Sequence, residues 1–122
     1  MRKTSAPGVI YNRFDIVVVP FPFTDHPLSK RRPALVVSTE QFCREHRHLI
    51  LCMITAAARS QWPSDVEITQ PGAAGLRTAC VIRLKLFTLE IPLILRALGR
   101  LAPADAAAAT RALALNLGLP AS

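Results

Sequence analysis

Carboxylates, cysteines and glycines are scarce in this chain, and uncharged apolar runs are short. Each shortage removes a class of protein. The three cysteines, Cys43, Cys52 and Cys80, show no CxxC spacing, which argues against a disulfide framework and for a reducing compartment. The most apolar windows are LILCMITAAA, which is too short, and LFTLEIPLILRALGRL, which Glu90, Arg96 and Arg100 interrupt, so no membrane span is expected. The opening MRKTSAPGVIYNRFD has early cations but no apolar core of signal-peptide length behind them, and a cytoplasmic location is expected. With five glycines in all, no Gly-rich phosphate loop occurs. No repeat or linker divides the sequence, so one domain is expected over 1–122, with 1–12 a loosely ordered N-terminal segment. Eight acidic residues against fifteen basic ones leave a net charge of +7. Such a surface gains affinity for polyanions by counterion release, which makes nucleic acid the leading partner class.

What the chain has in quantity is strand signal. FDIVVVPFPFTD, from Phe14 to Asp25, and RRPALVVS, from Arg31 to Ser38, are β-branched runs on either side of a short polar loop that ends in Lys30, Arg31 and Arg32. A fixed positive charge at a strand root is what phosphate handling requires, because the strand holds the guanidinium fork still while the loop leaves it accessible. Strands are expected over Phe14–Phe21, Ala34–Ser38, Leu49–Thr55, Asp65–Thr69 and Thr78–Leu86. Ser38 with Gln41 suggests a capping box for a short helix over Gln41–Glu45. A loop over Ala56–Ser64 carries Arg59, Gln61 and Trp62. Pro71, Gly72 and Gly75 mark a turn. Leu93–Leu101 suits either a strand or a helix. Pro103 opens a final Ala-rich helix to Leu117, Asp105 favours its positive end, and Gly118 stops it. The expected fold is mainly β: a partly closed barrel of five or six short strands with one C-terminal helix packed on it.

Three chemical constellations carry little weight. Cys43, His46, His48 and Cys52 lack the spacing of zinc motifs, and Cys52 lies inside an apolar strand. Cys43 with His46 as nucleophile and base has no orienting partner. Asp25 beside His26 has no nucleophile elbow to serve.

In order, PFPFTD, KRRPALVVS, LCMIT, DVEIT, GLRTACVIRLK and ILRALGRL, followed by a final helix, resemble the MazF/PemK toxins of bacterial toxin–antitoxin modules. The resemblance runs from about Phe14 to Leu119. It implies an SH3-like, partly open barrel of five to seven strands with a C-terminal α-helix, a homodimer, and a cognate antitoxin as partner. The implied activity is a ribonuclease on single-stranded RNA that needs no metal and no other cofactor.

If RNA is cut without a metal, its own 2′-hydroxyl attacks phosphorus. The protein must then accept a proton, return one to the leaving oxygen and stabilise the developing charge. Arg32 suits the last task, since a guanidinium grips two phosphate oxygens and stays charged at any working pH. The resemblance places Thr55 as a hydroxyl holding the scissile phosphate, and Arg83 as an arginine in acid catalysis or phosphate contact. Two residues after Arg83 the PemK branch usually carries a carboxylate; here Lys85 stands there. The base is therefore unassigned between Asp25 and His26, the latter having a pKa suited to proton transfer near neutrality. Lys30, Arg31, Arg59, Arg77 and Lys85 are candidate RNA contacts, and Trp62 either stacks a base or covers the barrel mouth. Two other readings stand beside the nuclease. One is a catalytically silent RNA- or protein-binding member of the fold; the other is a gyrase poison of the related CcdB kind.

Overall fold

The run DIVVVPF forms β1 (Asp15–Phe21) and is buried at five consecutive positions, Ile16 to Pro20. Successive strand side chains point to opposite faces, so burial without alternation means that both faces of the sheet are covered. In the computed structural model, which describes residues 8–22, 30–59 and 61–120, this is the case. Val17, Val19, Ala34, Val36, Leu49 and Leu51 fill one core with Tyr11, Cys43, Ile91 and Ile94. Ile16, Leu35, Cys52, Ile54 and Ile82 fill a second against Ala109 and Leu113 of the C-terminal helix. Each fully buried aliphatic side chain contributes about 1.5–3 kcal/mol.

The remaining elements are β2 (Lys30–Val36), α1 (Glu40–His46), β3 (His48–Ala56), β4 (Val66–Glu67), β5 (Cys80–Glu90), β6 (Arg96–Arg100) and α2 (Pro103–Leu117). The six strands form one antiparallel sheet in the order β4-β5-β3-β2-β1-β6. The sheet curls into a half-barrel, the SH3-like, partly open form with a C-terminal helix. Its two bulges lie at Ile16/Val17 against β6 and at Cys52/Met53 against β5.

Several boundaries differ from the sequence expectation. β2 begins at Lys30 rather than Ala34, so Arg31 and Arg32 lie within the strand. β2 pairs with β1 from Lys30, but with β3 only from Ala34 onward. One flank of Pro33 is thus unpaired, the setting in which a strand tolerates a missing N–H. The cap of α1 is Thr39, not Ser38: Thr39 Oγ1 accepts from the Phe42 amide at 3.1 Å. Ser38 is buried, and its Oγ accepts from the Ile50 amide instead. The Asp65–Thr69 strand shrinks to Val66–Glu67, while β5 runs on to Glu90 because its second half pairs with β3 as far as His48. The ambiguous Leu93–Leu101 segment resolves into a tight turn over Ile91–Leu93 and then β6. Leu89, Ile91, Ile94 and Leu101 are all buried in this chain's own core.

The final helix forms as expected, with Pro103 in its first turn and Gly118 at φ 70° as its left-handed cap. Asp105 does more than favour the helix dipole. Its carboxylate is buried and accepts from the Thr69 amide, the Thr69 hydroxyl and the Gln70 amide at 3.0, 2.7 and 3.0 Å, tying α2 to the chain leaving β4. The turn that follows packs against β6. Gly75 has φ 75°, and a Cβ there would lie 2.3 Å from the Leu98 carbonyl oxygen. Gly75→Ala is therefore expected to cost about 2–4 kcal/mol through left-handed strain and backbone overlap. Urea unfolding measures it, and a midpoint equal to wild type would refute the close approach.

Candidate functional site

Where β2 leaves β3, the sheet splays and a cleft of about 350 Å³ opens. Arg31, Arg32 and Pro33 of β2 form one wall and Ile54, Thr55 and Ala56 of β3 another, while Gly75 to Thr78, Cys80, Arg96, Leu98 and Val18 close it. Four arginines, Arg31, Arg32, Arg77 and Arg96, line it together with the hydroxyls of Thr55 and Thr78. Among the described residues, no carboxylate lines it. Like charges so gathered repel one another and create a local field that an anion relieves.

β2 and β3 pair as far as Ala34 and Met53, and beyond that pair Arg32 and Thr55 both line the cleft between the parted strands. The Arg32 guanidinium carbon sits 5.7 Å from the Phe21 ring centre, and its buried Nε has no hydrogen-bond partner among the described residues. Arg31 and Arg77 reach the same cleft. Lys30 pairs with Phe21 at the exposed start of β2 and does not line it.

Arg83 is elsewhere. It pairs with Met53 on β5, and its Nε and Nη2 donate to Asp65 Oδ1 and Oδ2 at 3.1 and 2.9 Å. The side chains of the pair are only 14% and 2% exposed. Hydrogen bonding to Asp65 raises the Arg83 pKa above its ordinary value, against opposing desolvation and with the help of Coulomb attraction. Trp62 lies over this guanidinium at 5.1 Å, and Arg59 supplies a carbonyl acceptor to it from the turn after β3. Lys85 is exposed at the β5 bulge, where Leu84 and Lys85 have no pairing partner on β3. Asp25 and His26 lie outside the described residues.

The zinc and thiol constellations do not assemble. Cys43 and Cys52 belong to different cores, and among the described residues no three His, Cys, Asp or Glu side chains cluster. Burial pushes the Cys52 thiol up to about 11, which makes it unreactive. His46 stacks edge-on against Phe42 at 4.7 Å.

A curled half-barrel with a C-terminal helix is the fold implied by the motif order. The family model of PemK-like, MazF-like toxins of type II toxin–antitoxin systems matches residues 12–117. The chain belongs to this family. Solved structures agree in fold. An endoribonuclease in complex with its cognate antitoxin from a mycobacterial species superposes with TM-score 0.71 at 22% identity, over 93% of this chain and 98% of the other. A MazE–MazF complex from Deinococcus radiodurans gives TM-score 0.72 at 20% identity, over 92% and 100%. The Mycobacterium tuberculosis toxin MazF-mt6 gives 0.69 at 18%, over 88% and 99%. No curated protein sequence matches the chain.

Sequence reasoning does not single out Arg96, which lines the cleft, or Asp65, which binds Arg83. In the sequence Arg96 is a charge interrupting an apolar window, in a segment that suits either strand or helix, and its partner strand, β1, lies about 80 residues away. Asp65 counted only as the polar start of a strand. A buried carboxylate facing Arg83 leaves no local signal, since the two residues come from different elements. Among the described residues, no helix of this PemK-like fold is long and apolar enough to cross a membrane.

Proposed function

We propose that this chain is the toxin of a toxin–antitoxin pair and acts as an endoribonuclease on single-stranded RNA without a metal ion. The observation that carries the reading is the cleft in which Arg31, Arg32, Arg77 and Arg96 converge with Thr55 and Thr78 and, among the described residues, no carboxylate. A phosphodiester entering it meets positive charge on several sides, and hydroxyl donors that do not compete for that charge.

In this reading the substrate supplies the nucleophile. The 2′-oxygen bonds to the adjacent phosphorus, the bond from phosphorus to the 5′-oxygen breaks, and the products carry a 2′,3′-cyclic phosphate and a 5′-hydroxyl. The 2′-hydroxyl proton passes to a base, and a proton is delivered to the departing 5′-oxygen. Arg32 grips the phosphoryl oxygens and holds them more strongly as their charge grows, with Thr55 donating alongside. Arg31, Arg77 and Arg96 hold the flanking phosphates. No carboxylate or imidazole lines the cleft among the described residues. By residue chemistry, Asp25 and His26, between β1 and β2, are the candidates for proton transfer.

Family membership supports a homodimer and a cognate antitoxin. An antitoxin that silences this cleft must satisfy the same arginines, and so presents carboxylates to them.

The test is incubation of the purified protein with end-labelled single-stranded RNA in EDTA. Cleavage to 2′,3′-cyclic phosphate ends is the expected result. Intact but retarded RNA would leave a binding protein, and absence of any interaction would turn attention to a protein target such as gyrase.

A further inference from the structure

Trp62, Asp65 and Arg83 form a unit that the cleft does not use. Asp65 Oδ2 accepts from both the Trp62 amide at 3.3 Å and Arg83 Nη2 at 2.9 Å, while the Asp65 amide donates to the Trp62 carbonyl at 3.0 Å. The turn from Trp62 to Asp65 is thus closed at both ends and anchored to β5. The Arg83 guanidinium then lies 5.1 Å from the centre of the Trp62 ring, within cation–π range. Trp62 belongs to neither core cluster and stays 40% exposed. An aromatic ring held rigid by an ion pair, yet left outside the core, is presented for contact rather than used for packing.

We propose that Trp62 is a stacking platform for a nucleobase of single-stranded RNA, and that Arg83 and Asp65 are positioning residues that hold its ring. The proposal rests on the RNA reading of the cleft. Position supports it. Arg83 stands two residues along β5 from Val81, which pairs with Thr55, a separation of about 7 Å along the strand. The turn Ala57–Arg59 leads directly from the cleft wall at Ala56 towards Trp62. A strand whose phosphate is held at Arg32 and Thr55 can therefore set a neighbouring base on the indole. Arg83, with its fork already engaged by Asp65 and the Arg59 carbonyl, has little left to offer a phosphate. Stacking tolerates any base, because every base has a π-face.

Trp62 is the sole tryptophan, so intrinsic fluorescence reports on it alone. The probes are a fully 2′-O-methylated single-stranded oligonucleotide, which blocks attack by the 2′-oxygen, and the same backbone without bases. Quenching by the first and not by the second is expected. Trp62→Ala should weaken binding of the base-bearing oligonucleotide by roughly 5- to 150-fold and leave the abasic one unchanged, whereas Trp62→Phe should retain most of the affinity. Arg83→Gln removes both the charge and the fork. As a positioning residue it should lose the base-dependent part of binding at an unchanged salt slope. A slope lowered by about one, with base dependence intact, would make Arg83 a phosphate contact and overturn its assignment. Tight binding of both oligonucleotides without quenching, or equal losses in the Phe and Ala variants, would overturn the platform alone. Failure to bind either oligonucleotide would overturn the platform together with the RNA reading.

Discussion

Arg32→Ala is expected to lower RNA cleavage by about 100- to 1,000-fold while the protein stays folded. Both halves of that expectation come from its surroundings. Arg32 lines the cleft together with Thr55, and in the proposed reaction its loss removes the group that grips the phosphoryl oxygens. Its Nε is buried with no hydrogen-bond partner among the described residues, so truncation discards an unsatisfied donor instead of breaking a bond. Arg32→Lys should recover only part of the rate, because an ammonium keeps the charge and loses the two-pronged grip. The checks are single-turnover cleavage of labelled RNA, with melting and circular dichroism as controls for folding. A folded Ala variant that cuts within a few-fold of wild type would remove Arg32 from the reaction.

The second large effect concerns stability. Asp105→Asn should destabilise the fold by about 3 kcal/mol, because an amide cannot accept from Thr69 Nα, Thr69 Oγ1 and Gln70 Nα through two anionic oxygens. At this chain length that corresponds to a fall in Tm of about 10 °C. The pH dependence gives a sharper test. Burial alone would raise the Asp105 pKa, but the hydrogen bonds from the Thr69 hydroxyl and from the Thr69 and Gln70 amides outweigh it and hold the carboxyl below its ordinary value. A carboxylate whose pKa is depressed by folding contributes its full stability above its unfolded pKa, about 3.9, and loses it as pH falls through the folded value. The gap between wild type and Asp105→Asn should therefore be constant from about pH 5 to pH 7 and narrow below pH 4. Urea midpoints across that range measure it. A gap that stays constant into acid would mean that the carboxylate charge contributes nothing to holding α2 on the chain after β4.

Much of the architecture was legible in the sequence because its causes are local. The β-branched runs of β1 and β3, the Pro103 start and the Gly118 stop of α2 all act through backbone preferences of the residues themselves. The errors came where a neighbour in space overrode a local rule. β2 starts before Ala34 because Lys30 to Pro33 pair with β1, while the flank towards β3 is unpaired there. Ser38 did not cap α1, since its hydroxyl was taken by the Ile50 amide. Of the residues singled out by motif, Arg32 and Thr55 line one cleft, whereas Arg83 is bound outside it by a carboxylate 18 residues earlier.

By itself, then, the sequence determined the fold class, the order of most elements, the basic character and the family. The first three follow from periodicity, capping and composition, which are properties of short segments; the family follows from the resemblance carried by the order of motifs such as KRRPALVVS and GLRTACVIRLK. Only the tertiary structure decided which cations share a cleft: Arg31 and Arg32 from β2, Arg77 from the turn and Arg96 from β6. It also decided that Arg83 holds Trp62 through Asp65. Both outcomes depend on strand register, a bulge and the splay of β2 from β3. These are set by pairing between distant segments, and no local pattern records which side chains they bring face to face.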